Sequence, residues 1–343
     1  FAGEWDTKPV RVLGEDLVLF RATSGQYGLM QEACPHRGVS LRYGYPEASG
    51  IRCAYHGWLL GLDGTCREQP FEPVPFTHKV RVTSYPVREL GGLLFAYLGD
   101  PERQPGLPHW DILVRDDGRR HFEFQDDLRC NWLQVQENAV DVTHTFYLHA
   151  EMFRWLGRPD DTGFGRPMTQ YGFQPFSWGI LKSWTYQGAN GEGWGNPLVF
   201  PNMLRLETEM HWRVPVDDVT TRIFWVGFTP GAEEKSPQSL IVRQPSRTTP
   251  EGTYLLDTFM SQDAMAWETA GPIFDRTREH LGSSDLGIVM FRSMLREGLR
   301  AVDNGRAPPA FVPPQDENAV IDLREWMNGY LPMSCPTDPT PVR

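Results

Sequence analysis

Apolar and polar positions alternate along most of the first hundred residues. "VRVLGEDLVLFRA" (10–22) alternates into a Gly-Glu-Asp turn and out again, the pattern of two half-buried strands in a hairpin. "QYGLMQEA" (26–33) predicts a strand that runs straight into Cys34. "GIRCAYHGWLLGLDG" (50–64), "KVRVTSYPVREL" (79–90) and "GLLFAYLGD" (92–100) predict further short strands. Five or more such strands with Gly-rich connections predict a small all-β domain. The Pro- and Gly-rich "DPERQPGLPHW" (100–110) reads as a linker, which divides the chain into domains 1–105 and 106–343.

The pattern then becomes mixed. Residues 121–131 predict a strand. Residues 131–149, "NWLQVQENAVDVTHTFYLH", predict a helix with Asn131 as N-cap and Gln134 as its capping-box partner. Residues 178–186, 202–216 and 220–228 predict strands, the last two joined by a hairpin turn at Asp217-Asp218. Residues 252–281 predict a helix interrupted near Gly271-Pro272. The segments "PPQDENAV" and "SCPTDPTPVR" read as loop or tail, and no internal repeat is present. The whole predicts an α+β chain with an all-β start.

Composition narrows the function. The chain has 343 residues, 40% of them apolar, enough for one large core or two domains. A net charge of −11, without any basic run, argues against nucleic acid as partner. No apolar stretch reaches the roughly 18 residues of a membrane span. No signal-peptide pattern is present, and because the chain opens on Phe1, upstream residues are expected to have been removed. Five Cys (34, 53, 66, 130 and 335), odd in number and sparse, fit a reducing, cytoplasmic location better than disulfide stapling.

Two of these cysteines stand beside histidines. "CPHRGVSLRYGYPEASGIRCAYHGW" (34–58) carries Cys34 and His36, then Cys53 and His56. Zinc sites normally group their cysteines and then their histidines. Here each loop offers one thiolate and one imidazole, which suits a two-iron cluster with both thiolates on one iron and both imidazoles on the other. Pro35, Gly38 and Gly57 permit the tight turns. C-P-H-R-G followed by C-x-x-H-G-W resembles the Rieske domain of ring-hydroxylating oxygenases. The extra Cys pair of respiratory Rieske proteins is missing from both loops, so the lower-potential oxygenase type is the better match. Cys66, Cys130 and Cys335 read as packed, inert thiols, and Trp58 is expected against the cluster.

The second constellation explains the remaining chain. "ENAVDVTHTFYLH" places Asp141 and His144 three apart on one helical face. His144 and His149 are five apart, which on a regular helix separates them by roughly 140°. Both reach one metal only if the helix is distorted, for example by a π-bulge, or ends before His149. Two His and a carboxylate make a facial triad for non-haem Fe(II), with open positions for dioxygen. Asp257, Asp263, Asp275 and Asp285 are the candidate carboxylates.

Residues 261–288 resemble the corresponding stretch of phthalate dioxygenases and the related aromatic O-demethylases. In that pattern the Asp of Q-D-x-x-x-x-E is the ligand, here Asp263, and Asp275 falls to a surface ion pair. The resemblance spans almost the whole chain and implies an oxygenase α subunit of the α-only group, with a helix-grip catalytic domain. It implies a [2Fe-2S] cluster and a mononuclear Fe(II). NAD(P)H then acts only indirectly, through a separate flavin and iron–sulfur reductase or a ferredoxin, because no G-x-G-x-x-G follows a strand. It also implies a homotrimeric ring in which Asp141 bridges His144 to His56 of a neighbouring copy, with Asn138 lining the approach to the iron. The implied reaction is cis-dihydroxylation, monohydroxylation, or O- or N-demethylation of a small aromatic compound. A carboxylate substrate calls for a pocket Arg, and Arg154, Arg158 and Arg205 lie in suitable segments. A Rieske electron carrier without oxygenase activity and a zinc-stabilised binding module are the alternatives. The carrier would leave Asp141, His144 and His149 without a purpose.

Overall fold

The computed structural model describes residues 6–158, 164–187, 193–232 and 240–327; Cys335 lies outside them. The chain forms two compact units, Phe1–Gly106 and Leu107–Arg343.

The first unit holds two four-stranded antiparallel sheets and a separate hairpin of Val87–Leu90 with Leu93–Ala96. One sheet orders the strands Thr7–Val12, Glu15–Arg21, Tyr27–Gln31 and Ser84–Tyr85; the other orders Tyr45–Glu47, Gly50–Arg52, Leu59–Gly61 and Cys66–Glu68. The first hairpin turns at Leu13-Gly14, not at Gly-Glu-Asp, because Val12 pairs with Glu15. Both turn residues have positive φ, +52° and +81°, as the primed hairpin turns require. Alternate residues of both sheets (Val18, Phe20, Met30, Ile51 and Leu60) meet in one core that also holds Cys34, Cys53 and Trp58. The cysteines are thereby seated at the base of two loops whose tips face solvent.

The second unit is an eight-stranded sheet with helices on one face, the α+β arrangement expected. In spatial order its strands are Met168–Phe176, Gly179–Tyr186, Gly193–Val199, Met203–Arg205, Glu209–Asp217, Thr220–Pro230, Gly118–Phe124 and Leu240–Arg243. All neighbours run antiparallel except the final, parallel pair. The segment 202–216 is two strands rather than one, joined by a tight turn in which Leu206 and Glu209 exchange backbone hydrogen bonds. The next turn falls at Asp218-Val219, one residue later than the Asp217-Asp218 expected. Asp217 pairs with Thr220, and its carboxylate accepts from Val219 N at 3.1 Å.

Helix α1 (Trp132–Asn138) is capped by Asn131, whose Oδ1 accepts from Leu133 N at 3.0 Å. Gln134 is not its box partner. Its buried amide instead donates to Trp267 O and Gly271 O and accepts from Phe274 N. The expected helix 252–281 is shorter: α2 spans Phe259–Thr269, started by Thr258, whose Oγ1 accepts from Ser261 N. It ends before Gly271, which has φ +100°, and Pro272. A third helix, α3 (Leu286–Asp303), lies beyond the stretch read as helical. Val140, Phe291, Ile180, Leu198 and Leu204 pack α1 and α3 onto the sheet, while Val135, Ala264, Trp267 and Ile223 pack α1 and α2 onto it. Buried Glu137 of α1 is held by Arg292 of α3 at 2.7 Å and by Arg276 at 3.1 Å. These contacts fix where the residues that follow α1 must lie. No described helix is long and apolar enough to cross a membrane.

Candidate metal centres

The two cysteine loops of the first unit share one backbone design. Cys34 N donates to Val39 O at 2.9 Å and Gly38 N to Cys34 O at 2.8 Å. At the same offsets, Cys53 N donates to Trp58 O at 2.9 Å and Gly57 N to Cys53 O at 3.0 Å. Gly38 and Gly57 close the turns at φ +73° and +75°, where a side chain would be strained. Burial, with the Cys53 thiol alongside, pushes the Cys34 thiol up to about 11 in the metal-free chain. The His36 and His56 rings stand 4.4 Å apart, and Trp58 stacks on His36 at 4.5 Å and 4°. His36 Nδ1 is buried without a hydrogen-bond partner. A buried imidazole nitrogen left unsatisfied beside two buried thiols is what a ligand to a missing metal group looks like. The four side chains therefore fit a [2Fe-2S] cluster with mixed ligation. Cys66 lies apart from them, buried, with its thiol 3.5 Å from Glu68 O.

The second constellation is not one continuous helix. After α1 the chain turns at 139–143 and resumes as a π-helix over Thr145–Glu151, where Met152 N–H reaches back five residues to Tyr147 O. The wider winding supplies the distortion that the His144–His149 spacing demands. Asp141 sits in the turn, with Oδ1 accepting from Thr143 N at 2.7 Å and Thr143 Oγ1 at 3.0 Å.

His144, His149 and Asp263 of α2 place one ligand atom each within 4.8 Å of one another. His149 Nε2 lies 3.5 Å and His144 Nε2 3.9 Å from Asp263 Oδ1. The opposite ring nitrogens face other partners. His149 Nδ1 meets Gln262 Oε1 at 2.8 Å, and Gln262 is anchored by donating to Leu256 O at 2.9 Å. His144 Nδ1 stands 3.4 Å from Asp141 Oδ2, an ion-pair approach without good hydrogen-bond geometry. Burial lowers the His149 pKa, against the pull of Asp263 and Gln262. Burial would raise that of Asp141, but His144 and Thr143 outweigh it and bring it down to about 2. Imidazoles with both Nε2 atoms turned toward one carboxylate oxygen fit a divalent iron. Asn138 Nδ2 lies 3.2 Å from His144 Nε2 and 3.3 Å from Asp263 Oδ1, beside the same point.

The other candidate carboxylates are elsewhere. Asp257 approaches Arg158 at 4.0 Å, and Asp285 accepts from Gly282 N. Asp275 is not in an ion pair among the described residues; it caps a short turn by accepting from Thr277. The candidate arginines are also engaged away from the triad. Arg205 is fully buried, paired with Asp111 at 2.9 Å and donating to the Glu207 and Glu209 carbonyls. Arg154 pairs with Glu151. The sequence reading missed Gln262, although it adjoins Asp263, and it missed Lys182 and Arg213 on the sheet.

Comparison with known proteins identifies the family. Residues 2–86 match the family described as Rieske [2Fe-2S] domain, and residues 244–320 match the family described as LigXa C-terminal domain like. The chain is 36% identical to a 5,5'-dehydrodivanillate O-demethylase oxygenase subunit from Sphingobium sp., over 92% of this chain and 77% of the relative. It is 31% identical to a phthalate 4,5-dioxygenase oxygenase subunit from Pseudomonas putida, over 89% and 80%. A crystal structure of dicamba monooxygenase bound to dicamba shares the fold at a TM-score of 0.63 and 16% identity, covering 88% of this chain and 94% of that one. The chain belongs to the Rieske non-haem iron oxygenases, as an oxygenase α subunit. Members of this family combine a Rieske cluster with a mononuclear iron, and the two residue sets described above fit that pair.

Proposed function

We propose that this chain is the terminal oxygenase of a multicomponent system acting on a small aromatic compound. Cys34 and Cys53 hold one iron of the cluster, His36 and His56 the other, and His144, His149 and Asp263 hold the mononuclear iron. The observation that carries the reading is the convergence of two imidazole Nε2 atoms on one carboxylate oxygen, at 3.5 and 3.9 Å. Iron bound there supplies dioxygen reduction, using electrons relayed by the cluster.

The chain's own residues prepare that position. Gln262 Oε1 accepts a hydrogen bond from His149 Nδ1–H and so leaves Nε2 free for metal. Asp141 stays ionised at neutral pH and orients His144 through Nδ1. Asn138 borders the metal position, where its amide can meet a polar group of a bound molecule. With no dinucleotide fingerprint in the sequence, NAD(P)H serves only through a separate reductase or ferredoxin. The tips of the cluster loops at Pro35, Arg37, Ala54 and Tyr55 are exposed. This supports a homotrimer in which His56 of one copy meets Asp141 of the next. The four described cysteines are free, in keeping with a cytoplasmic location.

A second reading is oxidative O-demethylation. The match over 244–320 and the 36% identity to a named O-demethylase subunit favour it. In that reaction a methoxyarene, dioxygen, two electrons and two protons give a phenol, formaldehyde and water. The test is turnover of an aromatic panel under ¹⁸O₂ with a surrogate reductase, read by mass spectrometry together with iron content. About three irons per chain are expected. Gain of two labelled oxygens, gain of one, or loss of a methyl with release of formaldehyde identifies the reaction. About two irons per chain with no oxygen transfer defeats the reading and leaves an electron carrier.

A further inference from the structure

Register along the second sheet carries a set of polar side chains onto its helix-covered face. Ile180 pairs with Leu198, Lys182 with Asn196, Leu198 with Leu204, and Leu204 with His211. Ile180, Leu198 and Leu204 pack beneath Val140 next to Asp141, so Lys182 and Arg213 share that face by the two-residue repeat of a strand. Ile223, opposite Arg213, packs against Ala264, the neighbour of Asp263.

Both cations are buried, Arg213 to 3% and Lys182 to 7% exposure. Among the described residues neither forms an ion pair. Arg213 Nε and Nη1 have no hydrogen-bond partner, and neither do Trp184 Nε1 and Asn196 Oδ1 on the same face. The Lys182 ammonium lies 5.9 Å from the centre of the Trp184 ring. Burial pushes Lys182 down to about 8 and Arg213 down to about 10, while Asp263 pulls both upward and Asp141 pulls Lys182 upward. Asp263 is committed to the two histidines, and Asp141 to Thr143 and His144. A ferrous ion held there would balance the charges of those two carboxylates and would leave the two buried cations without an anion among the described residues. Proteins rarely keep buried charge unpaired, and no described side chain supplies the partner, which points to a bound anion.

We propose that Lys182 and Arg213 form the anion-binding end of the substrate site and select aromatic acids, whose carboxylate accepts from the Arg213 guanidinium and pairs with the Lys182 ammonium. This rests on the reading of His144, His149 and Asp263 as the iron site. It replaces Arg154, Arg158 and Arg205, which are engaged elsewhere, as the source of carboxylate recognition.

The test is ligand binding by calorimetry on the holoenzyme, with iron content measured on the same samples. The probes are vanillate, 3-methoxybenzoate and 4-methoxybenzoate, each beside its methyl ester. The acids are expected to bind about 10- to 100-fold more tightly than the esters, the range of a hydrogen bond to a charged group. Arg213→Gln is expected to remove that preference and Arg213→Lys to keep part of it. Equal binding of acid and ester by the wild type, no binding of any acid, or an undiminished acid preference in Arg213→Gln overturns the anion subsite. Absence of mononuclear iron from the wild type overturns the metal reading instead.

Discussion

Gln262 shows how one side chain sets the state of another. Its carbonyl oxygen accepts a hydrogen bond from His149 Nδ1–H, and its own amide donates to Leu256 O, so the imidazole has neither the wrong tautomer nor a free rotation available. Gln262→Leu keeps the volume and removes the acceptor. Iron affinity is expected to fall about 10- to 100-fold, the usual effect of losing a partner that orients a ligand. Titration of Fe(II) into protein stripped of mononuclear iron measures this, and unchanged affinity would show the contact to be incidental. Asp141→Asn is expected to keep both iron centres and lose most turnover, because Asp141 faces the ring nitrogen turned away from the metal position. Iron assay and reductase-coupled oxygen uptake on the same sample separate the two effects. The cysteine and histidine candidates were legible in the sequence because they are local, two loops sixteen residues apart and a histidine pair five apart, whereas Asp263, distant in sequence, was reached only through the family resemblance. Gln262, Lys182 and Arg213 were not legible, since their roles arise only when strands and a helix distant in sequence share one face of a sheet.

Elements impose the next constraint. The histidine pair required a break in α-helical winding, and the chain supplies both a turn at 139–143 and a π-helix after it. That requirement could be read from spacing alone. The turn could not, because it depends on Asp141 capping Thr143 in place of continuing the helix. The edge strand Met168–Phe176 was invisible to the apolar pattern for a physical reason: most of it is exposed or half-buried and it contains Gly172 and Pro175, which edge strands tolerate. Helix α3 hides similarly, since its buried face carries Gly287 and Gly298, poor helix formers that let it approach closely. A Cβ on Gly287 would lie 2.5 Å from the Phe173 ring and 2.8 Å from Val140, the residue directly before Asp141. Gly287→Ala is therefore expected to destabilise the second unit by about 1–3 kcal/mol through overpacking. Thermal unfolding measures the loss, and the visible absorbance of the cluster in the first unit is expected to persist in the folded variant. An unchanged melting temperature would mean that α3 shifts without resistance.

At the scale of the whole molecule, a site prepared for an anion costs stability when the anion is absent. Lys182 shows this most directly because the residue is buried and forms no ion pair among the described residues. Burial, with Arg213 adding to it and Asp141 and Asp263 opposing, moves its pKa from 10.5 to about 8. That displacement corresponds to a penalty on the order of 3 kcal/mol. Its pH dependence has a definite sign. Below about 8 the amine is charged in both folded and unfolded chains, and the whole penalty stands. Between about 8 and 10.5 the folded amine is neutral while the unfolded one still holds its proton, so the unfolded state binds more protons and stability rises with pH. Above that window the penalty is gone. Lys182→Met is therefore expected to be more stable than the wild type at pH 7 without ligand, and the difference should shrink as pH rises toward 10. Denaturant unfolding of both proteins across that range tests this, and a difference independent of pH would place its origin in packing. An aromatic acid that binds at Lys182 and Arg213 would supply the counter-charge and narrow the same gap at pH 7. The cations that weaken the empty enzyme would thus be what makes it tighten around its substrate.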